Sequence, residues 1–189
     1  MIRQAPRLEA REPAQLKIGE RTPGFEGLLG TDGHRYGLND FAHSRLVVVI
    51  FASNRCPTVH AYEERLRAFQ EAYGPRGVQV VAINSNDEHL YPEESYERMV
   101  AFARDSGYSF PYLKDSGQEM ARAWGPTRTF EVFVLDQYRR LRYHGRFDDA
   151  RLADRVTTHD LRDAVEALLV RRDVQVPSTR PFGCSLDLV

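Results

Sequence analysis

The chain has 189 residues, 42% of them hydrophobic and 28% charged, with a formal net charge of −1. Those values fit one globular domain with a sizeable core and exclude a disordered or fibrous chain. The near-neutral charge, with Arg scattered among Asp and Glu, excludes the basic footprint of a nucleic-acid or acidic-membrane partner, and no apolar run reaches the ~20 residues of a membrane span.

Residues 1–17 are polar and contain Pro, and read as a loosely held arm. They lack the contiguous apolar stretch of a secretory signal, so the expected compartment is the cytoplasm. Phe25 to Leu29, Thr31-Asp32-Gly33 and His34 to Tyr36 predict a hairpin, because Asp-Gly accommodates positive φ. Asn39 to Ser44 reads as a polar connection. Leu46 to Ala52 (LVVVIFA) is a continuous apolar run, as in a strand buried on both faces of a parallel sheet.

His60 to Tyr73 predicts a helix with Tyr62, Leu66, Phe69 and Tyr73 on one face, stopped by Gly74-Pro75. Val78 to Ile83 is a second buried strand, followed by the polar loop Asn84 to Asp87. Pro92 to Ser106 predicts a helix with Tyr96, Met99, Val100 and Ala103 inward. Gln118 to Trp124 is a short helix ended by Gly125-Pro126. Phe130 to Leu135 and Leu141 to Tyr143 form a β-hairpin, and Thr158 to Val170 closes the order as a helix with Leu161, Val165, Leu168 and Leu169 inward. Residues 171–189 carry two Pro and one Gly without helical period and read as an extended tail. The order is a hairpin, then βαβα, then ββα. It predicts an α/β domain over 18–170, with a central mixed sheet, helices on both faces and a right-handed crossover.

Only two cysteines occur, Cys56 and Cys184, too few for a disulfide scaffold and too far apart in sequence for a shared zinc site. Cys56 follows a buried strand and precedes Pro57, a residue favoured at the first helical position. That places its sulfur at a helix N-terminus, where free N–H groups and the helix dipole stabilise a thiolate; Arg55 adds a positive charge next door. The alternative is a structural cysteine buried under the sheet.

The segments IGERTPGFEGLLGTDG, FASNRCPTVHAYEERL, GVQVVAINSND and PTRTFEVFVLDQYRRLRYHGR resemble the redoxin branch of the thioredoxin-like superfamily, which holds the alkyl hydroperoxide reductase/thiol-specific antioxidant proteins, the peroxiredoxins. The resemblance runs from about Ile18 to Val170 and implies a thioredoxin-like fold. It also implies a cofactor-free thiol oxidoreductase with Cys56 as the reactive thiolate. Peroxiredoxins carry Pro-x-x-x-Thr/Ser-x-x-Cys; Ser53 matches the hydroxyl position, and Val49 replaces the Pro. Thioredoxins carry Cys-x-x-Cys; Val59 stands at the fourth position here, so Cys56 has no neighbouring partner. Relatives place a cis-proline opposite the cysteine. Phe130 stands there, and a trans Thr129-Phe130 bond is expected, since a cis bond to a non-proline residue costs about 3–4 kcal/mol. The resemblance assigns Arg128 the role of holding the thiolate and the developing charge on a peroxide. The alternative for Arg128 is a surface residue paired with Glu131 or Asp148.

An oxidised Cys56 needs a resolving thiol, and Cys184 is the sole candidate in the chain. The tail, fully extended, reaches about 40 Å, enough to span a domain whose radius of gyration is roughly 16 Å. The alternative is an external thiol, with Cys184 an ordinary tail residue. The resemblance further implies a peroxide or small thiol/disulfide substrate and a thioredoxin-type reductant, and it admits a homodimer. Thiol–disulfide exchange with a protein partner and a binding domain without turnover remain as alternative functions. No metal-ligand spacing is formed by the six histidines. His60 and His144 read as bystanders, Asp148-Asp149 as a solvated turn, Trp124 as a core or rim aromatic near the site, and Asn84 to Asp87 as a loop approaching Cys56.

Overall fold

The computed structural model describes residues 16–189, so most of the predicted N-terminal arm lies outside the described residues. The strands are β1 (Leu28–Gly30), β2 (Arg35–Tyr36), β3 (Leu46–Phe51), β4 (Val78–Asn84), β5 (Tyr112–Lys114), β6 (Glu131–Leu135) and β7 (Leu141–Gly145). The helices are α1 (Pro57–Tyr73), α2 (Tyr96–Asp105), α3 (Glu119–Trp124) and α4 (Asp160–Leu169). All seven strands form one mixed sheet in the order β2-β1-β5-β4-β3-β6-β7.

Every side chain of β3 is buried, because the strand faces two layers. Val48 and Ile50 pack with Tyr62, Leu66 and Phe69 of α1, Met99 of α2 and Leu161 and Val165 of α4. Val47, Val49 and Phe51 pack on the opposite face with Met120, Ala121 and Trp124 of α3, Phe25 and Phe41. This is the alternation of a strand read at period two. β3 runs parallel to β4 and antiparallel to β6, with Phe51 opposite Ile83 on one side and Glu131 on the other. The ends of β3 and β4 therefore open toward the start of α1. That is the rim where open α/β sheets gather their sites.

Several boundaries differ from the sequence expectation for local reasons. Leu38–Phe41 forms a 3-10 turn whose Leu38 and Phe41 are buried, where a polar connection was expected. α1 begins at Pro57 rather than His60, because proline's fixed φ suits the first helical position. The predicted helix from Pro92 divides into a 3-10 turn, Pro92–Glu94, and α2, with Ser95 as N-cap accepting the Arg98 N–H at 3.4 Å. Val100 is exposed, not inward. β5 has no counterpart in the sequence reading. β6 starts at Glu131, and Phe130 before it holds a φ of 64°. The described residues contain no cis peptide bond, so Thr129-Phe130 is trans as expected.

The tail is extended but docked. It passes β7 through Thr179 N–H to the His144 carbonyl at 3.0 Å, buries part of Phe182 in the first core, and sets Leu186 and Leu188 against the second. Its last residues are tied to α3: Gln118 donates to the Asp187 carbonyl at 2.9 Å and accepts the Val189 N–H at 2.8 Å. No helix among the described residues is long and apolar enough to cross a membrane.

Candidate active site

Cys56 is the N-cap of α1, with extended backbone at φ −77° and ψ 117°. Its carbonyl accepts the His60 N–H at 3.2 Å, which closes the first helical turn. The sulfur therefore stands where the helix presents its free N–H groups. The residue is only 1% exposed. It is thus both at the helix start and covered, and the cover is the C-terminal tail.

Cys184 lies on that cover. Both cysteines are free thiols, and their sulfurs are 2.7 Å apart. Thr129, in the loop before β6, fixes the approach: its N–H donates to the Cys184 carbonyl at 2.8 Å, and Arg128 and Ser185 form a β-bridge alongside. The sequence left open whether Cys184 meets Cys56; the structure brings them together.

The two thiols are electrostatically unequal. Burial pushes the Cys56 thiol up, but hydrogen bonds from the Cys184 thiol and the Thr129 hydroxyl outweigh it, and its pKa falls below the ordinary value. Burial and the same hydrogen bond to Cys56 push Cys184 up to about 11. Cys184 therefore keeps the shared proton while Cys56 takes the charge.

The pair opens into a pocket of about 450 Å³ lined by Ser53, Arg55, Asn86, Tyr91, Glu94 and Thr129, among others. Ser53 is in place, its hydroxyl donating to the Glu94 carboxylate and accepting the Arg55 N–H at 3.2 Å. Arg55 lays its guanidinium over the Tyr91 ring, 3.9 Å from the centroid. Arg128 is engaged by the tail beside Cys184: its guanidinium donates to the Ser185 hydroxyl at 3.0 Å, and its N–H donates to Glu131 at 3.0 Å. Arg55 is the cationic side chain among the residues lining this pocket.

Of the other candidates, Asn86 alone is among the residues lining this pocket. His144 pairs with the fully buried Glu131, whose other carboxylate oxygen accepts the Thr127 N–H at 2.7 Å. Asp148 is not a solvated turn residue: it is buried and accepts the Tyr62 hydroxyl at 2.5 Å and Arg65 at 2.6 Å. Asp149 does behave as a turn, holding Thr157 and Thr158 N–H at 2.8 and 3.0 Å. His60 is exposed and pairs with Glu63 at 2.7 Å. Trp124 is buried in the second core and donates to the Pro23 carbonyl at 3.1 Å. Asn86, from the expected loop, does line the pocket.

Sequence reasoning missed Glu94, Thr129, Tyr91 and Asp187. Pro92-Glu93-Glu94-Ser95 carries a helix-start signal, which explains the turn but not a carboxylate aimed at the cysteine loop. Tyr91 and Asp187 meet through a 2.8 Å hydrogen bond across most of the sequence, which no local pattern encodes.

A family model described as Redoxin matches residues 17–161. No curated protein matches the chain. Among solved structures, the chain is similar to a hypothetical protein from Sinorhizobium meliloti 1021, at 42% identity over 93% of this chain and 97% of that one, with a TM-score of 0.86. An uncharacterized conserved protein from Geobacillus kaustophilus is 34% identical over 93% of this chain and 94% of that one, also with a TM-score of 0.86. The peroxidoxin BcpB from Mycobacterium tuberculosis is 19% identical over 84% of this chain and 100% of that one, with a TM-score of 0.65, a likeness of fold that is thioredoxin-like.

Proposed function

Since the chain belongs to the redoxin family and its chemistry is thiol-dependent redox chemistry, we propose that it is a cofactor-free, peroxiredoxin-like thiol peroxidase with both redox sulfurs in one chain. The observation that carries this reading is the 2.7 Å approach of Cys184 to Cys56 at the first turn of α1.

The Cys56 thiolate attacks the terminal oxygen of a hydroperoxide. The S–O bond forms, the O–O bond breaks, and the leaving alkoxide takes a proton from solvent, giving an alcohol and a sulfenic acid. The helix N-terminus and the Arg55 charge act on the negative charge as it moves. Cys184 then attacks the sulfenic sulfur. The S–S bond forms, and hydroxide leaves with the Cys184 proton as water. One thiolate of a thioredoxin-type dithiol attacks Cys184, the exposed sulfur, and expels Cys56, the better leaving group because of its lower pKa. The dithiol's second thiol then attacks the mixed disulfide, which frees Cys184 with its proton and leaves the reductant as a disulfide. A reducing cytoplasm suits two free cysteines.

The exposed Cys184 beside a buried Cys56 also supports a second reading, disulfide exchange with a protein partner through Cys184. Two assays separate them. Under the peroxidase reading, reduced protein consumes hydrogen peroxide, Cys56→Ser abolishes consumption with the fold intact, and Cys184→Ser still oxidises once without forming the intrachain disulfide. Insulin-disulfide reduction without peroxide consumption overturns it in favour of the second reading.

A further inference from the structure

Glu94 is 0% exposed and ends the Pro92–Glu94 turn, yet its side chain reaches back to the segment before Cys56. One carboxylate oxygen accepts the Ser53 hydroxyl. The other accepts the Asn54 N–H at 2.8 Å and the Asn84 side-chain amide at 2.7 Å. The turn is itself pinned, because the buried Lys114 ammonium donates to the Glu94 carbonyl at 2.8 Å and the Asn86 carbonyl at 2.8 Å. Tyr112 completes the cluster, donating to Asn54 at 2.9 Å.

The Glu94 carboxylate is the acceptor in all three of these contacts. The single Ser53 hydrogen is thereby committed to Glu94. One Ser53 lone pair takes the Arg55 N–H. What Ser53 has left for the pocket is a lone pair, so it can accept a hydrogen bond there and cannot give one.

We infer that Glu94 is a positioning residue that locks Ser53 as an acceptor and so selects substrates with a hydrogen on the atom under attack. A hydroperoxide carries that hydrogen on its terminal oxygen, the atom Cys56 attacks in the reaction proposed above, on which this inference rests. A disulfide carries none. With its O–H held by Ser53, the terminal oxygen passes to sulfur together with its hydrogen.

Two variants test this. Ser53→Ala removes the acceptor. Glu94→Gln reverses it: the new carbonyl takes the place facing Asn54 and Asn84, its amide donates to Ser53, and the Ser53 hydrogen swings into the pocket. The reduced proteins are mixed with hydrogen peroxide and, separately, with methyl methanethiosulfonate, which transfers a thiomethyl group to the same sulfur and has no O–H. The expected result is a fall of about tenfold or more in the peroxide rate for both variants, with no fall in the thiosulfonate rate. Equal loss with both reagents means a merely structural role and overturns the inference, as does an unchanged peroxide rate in variants of a fast wild type. A wild-type peroxide rate no faster than that of an ordinary thiol overturns the peroxidase reading itself.

Discussion

Gly183 passes so close to Thr129 that a β-carbon on it would overlap the Thr129 carbonyl oxygen, and its φ of 148° is one that other residues rarely adopt. The next residue in the tail is Cys184. Gly183→Ala is therefore expected to lift the tail from the Thr129 loop, with Phe182 beside it, while the strands and helices keep their packing. After peroxide treatment, the Cys56–Cys184 disulfide should form at least about tenfold more slowly, because the tail loses its pre-set geometry. Mass spectrometry of alkylated, non-reduced samples over time reads this. A closure rate equal to wild type would show that tail docking does not depend on that close approach.

The unequal thiols make a pH prediction. Ionisation of Cys56 is favoured by hydrogen bonds that outweigh its burial, and that of Cys184 is opposed, with a pKa of about 11. In iodoacetamide alkylation followed peptide by peptide, the Cys56 midpoint should lie below the ordinary thiol value of about 8.5. The Cys184 midpoint should lie above it. The sign follows from the shared hydrogen bond: Cys184→Ala removes a donor to the thiolate, so the Cys56 midpoint should rise. A midpoint that falls in that variant would mean burial under the tail dominates.

Much of the frame was legible because it is local. LVVVIFA suits a strand covered on both faces, and Pro57 directly after Cys56 favours a helix start. β5 was illegible because Tyr112-Leu113-Lys114, just after Pro111, is too short for any period to declare itself. The site divided the same way. Cys56 is marked by its neighbours, and Ser53 by the spacing that resembles peroxiredoxins. Glu94 was hidden, since its partners Ser53 and Asn54 lie about forty residues back and meet it only after β3 and β4 align. For Arg128, the chain position pointed to the cysteine loop but could not reveal that the tail's Ser185 would claim the guanidinium.

Glu131 carries a stability prediction. Fully buried, it accepts the Thr127 N–H at 2.7 Å, the Thr127 hydroxyl at 3.1 Å and the Arg128 N–H at 3.0 Å, and pairs with His144. Glu131→Ala strips every one of those donors at once. The expected loss is about 3–5 kcal/mol in urea titration, the scale for removing one partner of a buried pair. Because the same loop holds Thr129 against Cys184, surviving folded protein should also close its disulfide more slowly. A loss within the ordinary surface range, about 0.5 kcal/mol, would show that solvent reaches this carboxylate.

Arg55 and Arg128 can be told apart by the step each slows. Arg55 lines the pocket with Cys56 and is held over Tyr91, so its charge is fixed beside the sulfur where negative charge moves during peroxide cleavage. Arg128 binds Ser185, next to Cys184, so it acts on the tail. Arg55→Ala should therefore lower the rate of the first oxidation about tenfold or more, the low end for removing an electrostatic stabiliser from a reacting centre. Arg128→Ala should instead slow the later closure of the disulfide. Stopped-flow measurement of peroxide consumption for the first step and non-reducing mass spectrometry for the second separate the two. If Arg128→Ala is the variant that slows the first oxidation, its guanidinium leaves Ser185 when substrate arrives, and the charge at the transition state belongs to Arg128 after all.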